Sequence, residues 1–228
     1  MPGKVPARAT RAAALLLGLG ALAYTAWLLE VLVRTGLDPV RTYVSELAAA
    51  DQPLGGLFRA TDLAAGLLVL AGALAGLAAT RRHGPWALGG WIALAVFGAA
   101  TAADSRLPLS CAPTADPECA ARETAGLVPA THLAHAVSSS LAMAGALAAM
   151  VALTVAARRY GHWRPLARTG PALVVLELAA TAWTLAAVAA FEAGKGTWSL
   201  GAGQRLQVLL VAVWLAVLAG SLPHRRAR

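Results

Sequence analysis

Six long apolar runs, separated by short polar or charged stretches, organise the chain; they cover residues 12–33, 60–80, 86–103, 129–157, 171–191 and 206–222. A hydrocarbon core about 30 Å thick takes roughly 20 apolar residues in an α-helix, and each run approaches or exceeds that length. Pro85, Pro129 and Pro171 sit at or just before run starts, where a missing N–H costs little. The pattern predicts an all-α fold, a polytopic membrane bundle of six transmembrane helices. One transmembrane domain then spans residues 1–228, with no room for a separate soluble domain. Arg8 and Arg11 ahead of Ala21-Leu22-Ala23 resemble a cleavable signal. The apolar run continues through Trp27, Leu28 and Leu29, too far for a typical signal core, so an uncleaved helix is expected.

Composition agrees. Hydrophobic residues make up 58% and charged residues 13%, against roughly 25% charged in soluble domains. That excludes a disordered chain, a small disulfide scaffold and an ordinary soluble domain.

The net charge of +8 invites a nucleic-acid reading, but its distribution points to topology instead. Lys4, Arg8, Arg11, Arg81, Arg82, Arg158, Arg159, Arg164, Arg168, Arg225, Arg226 and Arg228 are 12 of the 19 basic residues, and all lie in the termini and the second and fourth loops, with no acid among them. This is the positive-inside asymmetry. It predicts cytoplasmic termini, a multi-pass protein of the cell membrane, and arginines meeting anionic headgroups rather than nucleic acid.

The first, third and fifth loops then face outward. In the first, Asp38 can cap and Pro39 can open a short helix, with Val40, Tyr43, Val44 and Leu47 on one apolar face. Ser45 and Glu46 fall on or beside its polar side. Arg59 and Asp62, three apart at the start of the second span, can pair. The third loop carries Cys111 and Cys119. An outward location favours a disulfide, and a zinc site made by both cysteines with His132 and His135 is the rival. Those histidines share a helix face about one turn below the outer surface, with Ser139 on the same stripe. They can bind one metal ion but cannot supply both axial ligands of a haem. Asp104 ends the third span, and Glu30, Glu192 and Arg205 lie at the same outer mouth. Glu46, Arg59, Asp62, Asp104, His132 and His135 are expected to form one polar cluster. His83, His162 and His224 fall on the opposite side.

Glu177 lies inside the fifth run. A charge at a helix centre costs about 2.5–3.5 kcal/mol on insertion scales, so Glu177 should face the bundle interior. Proton relay and a neutral structural carboxyl both remain open. Gly72-x-x-x-Gly76 is a small-residue packing motif, and the Ala/Gly-rich spans predict a tight bundle rather than a wide pore. No P-loop, Rossmann fingerprint, nucleophile elbow or HExxH motif occurs, nor any clear internal repeat.

Tyr43-Val44-Ser45-Glu46-Leu47, then Leu57-Phe58-Arg59 and a Gly/Leu-rich span, resemble the domain-of-unknown-function family 998, as do an acid after the third span and histidines opening the fourth. The resemblance covers the first span to the last and implies a six-helix bacterial membrane protein without assigning a substrate. A weaker likeness is to the alkaline ceramidase and adiponectin-receptor superfamily of seven-helix metal hydrolases. This chain differs from it in having six spans and His-x-x-His. Three functions follow as expectations. The first is a non-enzymatic multi-pass protein with a polar site at the extracytoplasmic end. The second is a metal-dependent outer-leaflet lipid hydrolase or transferase, with Asp104, His132 and His135 holding a divalent metal such as zinc and Glu46 or Asp62 as base. The third is a proton-coupled small-molecule transporter using Glu177. Association into a homo-oligomer is left open.

Overall fold

The computed structural model describes residues 7–80, 84–161 and 163–223. The cations Lys4, Arg81, Arg82, Arg225, Arg226 and Arg228 and the histidines His83, His162 and His224 lie outside the described residues. Seven α-helices occur among them: α1 (Ala7–Tyr24), α2 (Gly55–Thr80), α3 (Pro85–Asp104), α4 (Pro117–Thr124), α5 (Ala130–Arg159), α6 (Arg164–Glu192) and α7 (Leu200–Ser221). There is no strand among the described residues. Six helical segments are long and apolar enough to cross a membrane, the first running from α1 into a 3-10 turn at Ala26–Val31. Leu15, Leu22, Val137, Val175 and Leu185 are exposed on the outside, as lipid contact requires.

The spans pack in a ring. α1 lies between α2 and α7, α2 reaches α3, α3 packs on α5, and α6 links α5 to α7. Trp91, Trp214, Phe97, Leu17, Leu94, Met150, Leu153 and Leu215 fill the core.

Pro85 opens α3 as predicted. Pro171 does not open α6, which begins about two turns earlier with Pro165 in its first turn. Glu177 therefore sits near the middle of α6 rather than near its start. The expected first-loop helix is also replaced, by a turn at residues 39–42 and a 3-10 helix at Val44–Ala48. Asp38 does cap, its Oδ1 accepting from the Val40 N–H at 2.9 Å. The segment then tightens into a 3-10 turn that aims Glu46 and Leu47 inward.

The expected glycine pair does pack closely, against α1 on one side and α3 on the other. A Cβ on Gly72 would strike the Leu17 side chain and one on Gly76 the Trp91 ring. The closest backbone crossing is Gly66 on α2 against Gly98 on α3, where each residue's Cβ would lie 2.8 Å from the other's carbonyl oxygen.

One end of the bundle is capped. The 3-10 turns, the 32–54 loop, the 105–129 segment with α4, and the 193–199 connection all gather there. α4 had no place in the sequence pattern, although Asp116-Pro117-Glu118 is a helix-start signature. Asp116 accepts from the Glu118 N–H at 2.9 Å. Gly126, at φ +68°, closes α4, the Leu127 N–H reaching the Arg122 carbonyl at 2.8 Å; a left-handed glycine is the usual way to end a helix so.

Candidate functional site: a capped polar end

Four polar groups are built at this end. The first is a latch. Glu46 is fully buried; its Oε1 accepts from the Thr114 N–H at 2.7 Å and its Oε2 from the Thr114 hydroxyl at 2.5 Å. Thr114 stands inside the loop closed by the Cys111–Cys119 disulfide. The disulfide reading of the cysteines is therefore the one found, and the four-residue zinc site is not formed. Glu46 had been expected on a polar face; burial against this loop is the correction. Nearby, the Ala50 N–H donates to the Leu109 carbonyl at 2.8 Å. Arg59 does not turn to Asp62. It donates back to the carbonyls of Ala48 and Ala49 at 2.6 and 3.2 Å, which end the same 3-10 turn. Ser45 is half-buried in that turn.

Burial raises the Glu46 carboxyl to about 7, against a pull downward from the Thr114 hydrogen bonds, a backbone bond at Tyr43 and the Arg205 charge. The folded state therefore binds this proton more tightly than the unfolded chain. The stabilisation is complete below about pH 4.5, the group's ordinary value, and lost as pH rises through about 7. A shift of that size corresponds to roughly 3 kcal/mol between the limits. In detergent, the unfolding temperature is expected to fall between pH 5 and 8, and Glu46→Gln to flatten that fall. An unchanged slope in Glu46→Gln would remove Glu46 as its source.

The second group is an anchor. Arg205 on α7 holds Glu30 through two bonds, Nε to Oε1 at 2.6 Å and Nη2 to Oε2 at 2.7 Å. Its Nη1 donates to the Thr42 carbonyl at 2.9 Å. Gln204 Oε1 accepts from the Val44 N–H at 2.9 Å, so α7 grips the first loop. Glu192 is exposed and outside this pair.

The third group joins α2, α3 and α5. Asp104 Oδ1 lies 3.0 Å from His135 Nδ1, a close electrostatic contact outside hydrogen-bond alignment. The same oxygen accepts a short hydrogen bond from the Ser138 hydroxyl. Asp62 is within electrostatic reach of both Asp104 and His135, and it enters none of the ion pairs among the described residues. Ser138, not the expected Ser139, faces α3. Ser139 folds its hydroxyl back to the His135 carbonyl at 2.8 Å.

The fourth group centres on His132, which is fully enclosed and points away from His135. Its Nδ1 accepts from the Ser110 N–H at 3.1 Å and meets the Ser110 hydroxyl at 2.9 Å. Its Nε2 lies 3.4 Å from Glu123 Oε1, on α4. Since Nδ1 accepts from an N–H, the ring proton sits on Nε2, facing the carboxylate. The expected metal trio of Asp104, His132 and His135 is thus not brought together, and no three His, Cys, Asp or Glu side chains converge for a metal among the described residues. Sequence reasoning missed Ser110 and Glu123, which lie 22 and nine residues before His132. No helical spacing links them to it.

Glu177 stands apart on α6, fully buried. Gln207 and Thr181 lie beside its carboxyl, and their side chains bond each other at 2.9 Å.

The fold and this end together define a six-helix multi-pass membrane bundle with one capped, polar end. The family described as "Protein of unknown function (DUF998)" matches residues 7–221. The chain belongs to that family. No curated protein matches. No solved structure matches either.

Proposed function

We propose that the capped end faces outward from the cell membrane, with both termini cytoplasmic, and that Asp62, Asp104, His135 and Ser138 beneath it bind a protonated amine. A free small ammonium compound or the amine headgroup of an outer-leaflet lipid would both present that chemistry. The observation that carries the reading is the contact of the Asp104 carboxylate with the His135 imidazole, with the Asp62 carboxylate of another helix within electrostatic reach of both, inside a bundle where uncompensated charge is costly. Asp104 is already engaged by Ser138 and His135, which leaves Asp62 to receive the cation. The arginines of the opposite end would meet anionic headgroups.

The test joins topology to binding. Gln52→Cys and Thr197→Cys should label from outside intact cells, and His83→Cys and His162→Cys only after permeabilisation. Purified protein should gain thermal stability as ethanolamine is added, and Asp62→Asn should abolish the gain. Reversed labelling would overturn the orientation. An absent gain, or an equal one in Asp62→Asn, would overturn the amine site.

A further inference from the structure

We infer that Ser110 is an acyl-accepting nucleophile, with His132 as its general base and Glu123 positioning the imidazole, acting on the ester of an outer-leaflet lipid. The geometry is that of a nucleophile, a base and an orienting carboxylate in series. The Ser110 hydroxyl lies 2.9 Å from His132 Nδ1. The Ser110 N–H shares the single lone pair of that nitrogen at 3.1 Å, so the hydroxyl displaces it as its proton passes to the ring. The opposite nitrogen faces Glu123 at 3.4 Å, a spacing that tightens in many enzymes only once substrate is bound. His132 is 2% exposed and cannot swing to another partner. Ser110 retains some exposure, so a substrate can reach it.

Two surroundings fit the chemistry. Arg122 Nη2 lies 3.5 Å from Cys111 Sγ, and that sulfur is 3.6 Å from the Ser110 hydroxyl. A guanidinium therefore stands near Ser110, with the Cys111 sulfur between them. Leu127, Leu133 and Val137 are exposed beside the site, a flank suited to acyl chains. An upright outer-leaflet lipid carries its ester deeper than its headgroup, so this choice of substrate rests on the exposed apolar flank and not on the proposed amine site.

The step balances without a further reagent. Ser110 Oγ attacks the ester carbonyl carbon as its proton passes to His132 Nδ1. The carbonyl–alkoxy bond breaks, and the leaving alkoxide takes that proton. Water, deprotonated by the same nitrogen, then cleaves the acyl-serine, releasing the acid and restoring the hydroxyl.

A fluorophosphonate probe reports this directly, because serine attack on phosphorus expels fluoride and leaves a stable adduct. Full-length protein in detergent should carry the adduct on the peptide containing Ser110. His132→Gln should slow labelling about 100-fold or more, within the range of general-base effects. Glu123→Gln should slow it about 10-fold without changing its final extent, which mere loss of fold would not do. Ser139→Ala, whose hydroxyl bonds its own helix, should label as the parent does. An unlabelled Ser110 in protein that keeps the Cys111–Cys119 bond and unfolds cooperatively would overturn the inference. So would His132→Gln labelling at the parental rate. Stabilisation by ethanolamine is read separately, so loss of the amine site and loss of the nucleophile are distinguishable.

Discussion

Arg205→Met should destabilise the protein by about 3–5 kcal/mol, the usual cost of removing one partner from a buried ion pair. The side chains of Arg205 and Glu30 are 8% and 6% exposed. Their paired bonds at 2.6 and 2.7 Å make a two-pronged contact of the stronger kind. Removing the guanidinium leaves the Glu30 carboxylate buried with no counter-charge. It also strips the Thr42 carbonyl of its donor. The loss is therefore more than one bond, since each orphaned buried group adds its own desolvation cost. Arg205→Lys should fall between, because an ammonium cannot reproduce the fork. Arg205→Met with Glu30→Leu should recover much of the loss, as apolar replacement of both partners often does. Denaturant unfolding in detergent for the singles and the double gives the coupling directly. A loss below about 1 kcal/mol in Arg205→Met would show that water reaches Glu30 and the anchor is solvated.

Gly98→Val should be as damaging, by a different route. A Cβ at Gly98 would sit 2.5 Å from the Leu70 amide nitrogen and 2.8 Å from the Gly66 carbonyl oxygen. These are backbone atoms of α2, and no rotamer change moves them. The helices must separate, and overpacking of this kind costs typically 1–3 kcal/mol and more where backbone is struck. Gly89→Val on the same helix is the control, since nothing lies within 4 Å of a Cβ there. The consequence extends to the amine site. Gly66 lies one turn beyond Asp62 on α2, and Gly98 precedes Asp104 on α3, so parting the helices parts the carboxylates. Gly98→Val should lose stabilisation by ethanolamine along with thermal stability, whereas Gly89→Val keeps both. Equal behaviour of the two variants would show that the crossing tolerates a side chain.

The spans, the disulfide and the family were legible in the residues themselves. Each depends on a property that is local along the chain. A run of apolar residues either reaches the length of a bilayer or does not, and two cysteines eight residues apart close a small loop wherever that loop lies. The partners of the polar side chains were not legible, because they are set by which helices meet and how far each is turned. His132 and His135 share a face by spacing, yet three residues of helix still separate them by about 60°. That is enough to send one ring to Ser110 and Glu123 above the span and the other to Asp104 on α3. Glu46 read as a solvent-facing residue until the disulfide loop folded over it and Thr114 supplied two donors. The Gly72-x-x-x-Gly76 spacing pointed to the close packing both residues make, against Leu17 and Trp91, but the backbone crossing of Gly66 and Gly98 joins different helices whose register only the packed ring decides.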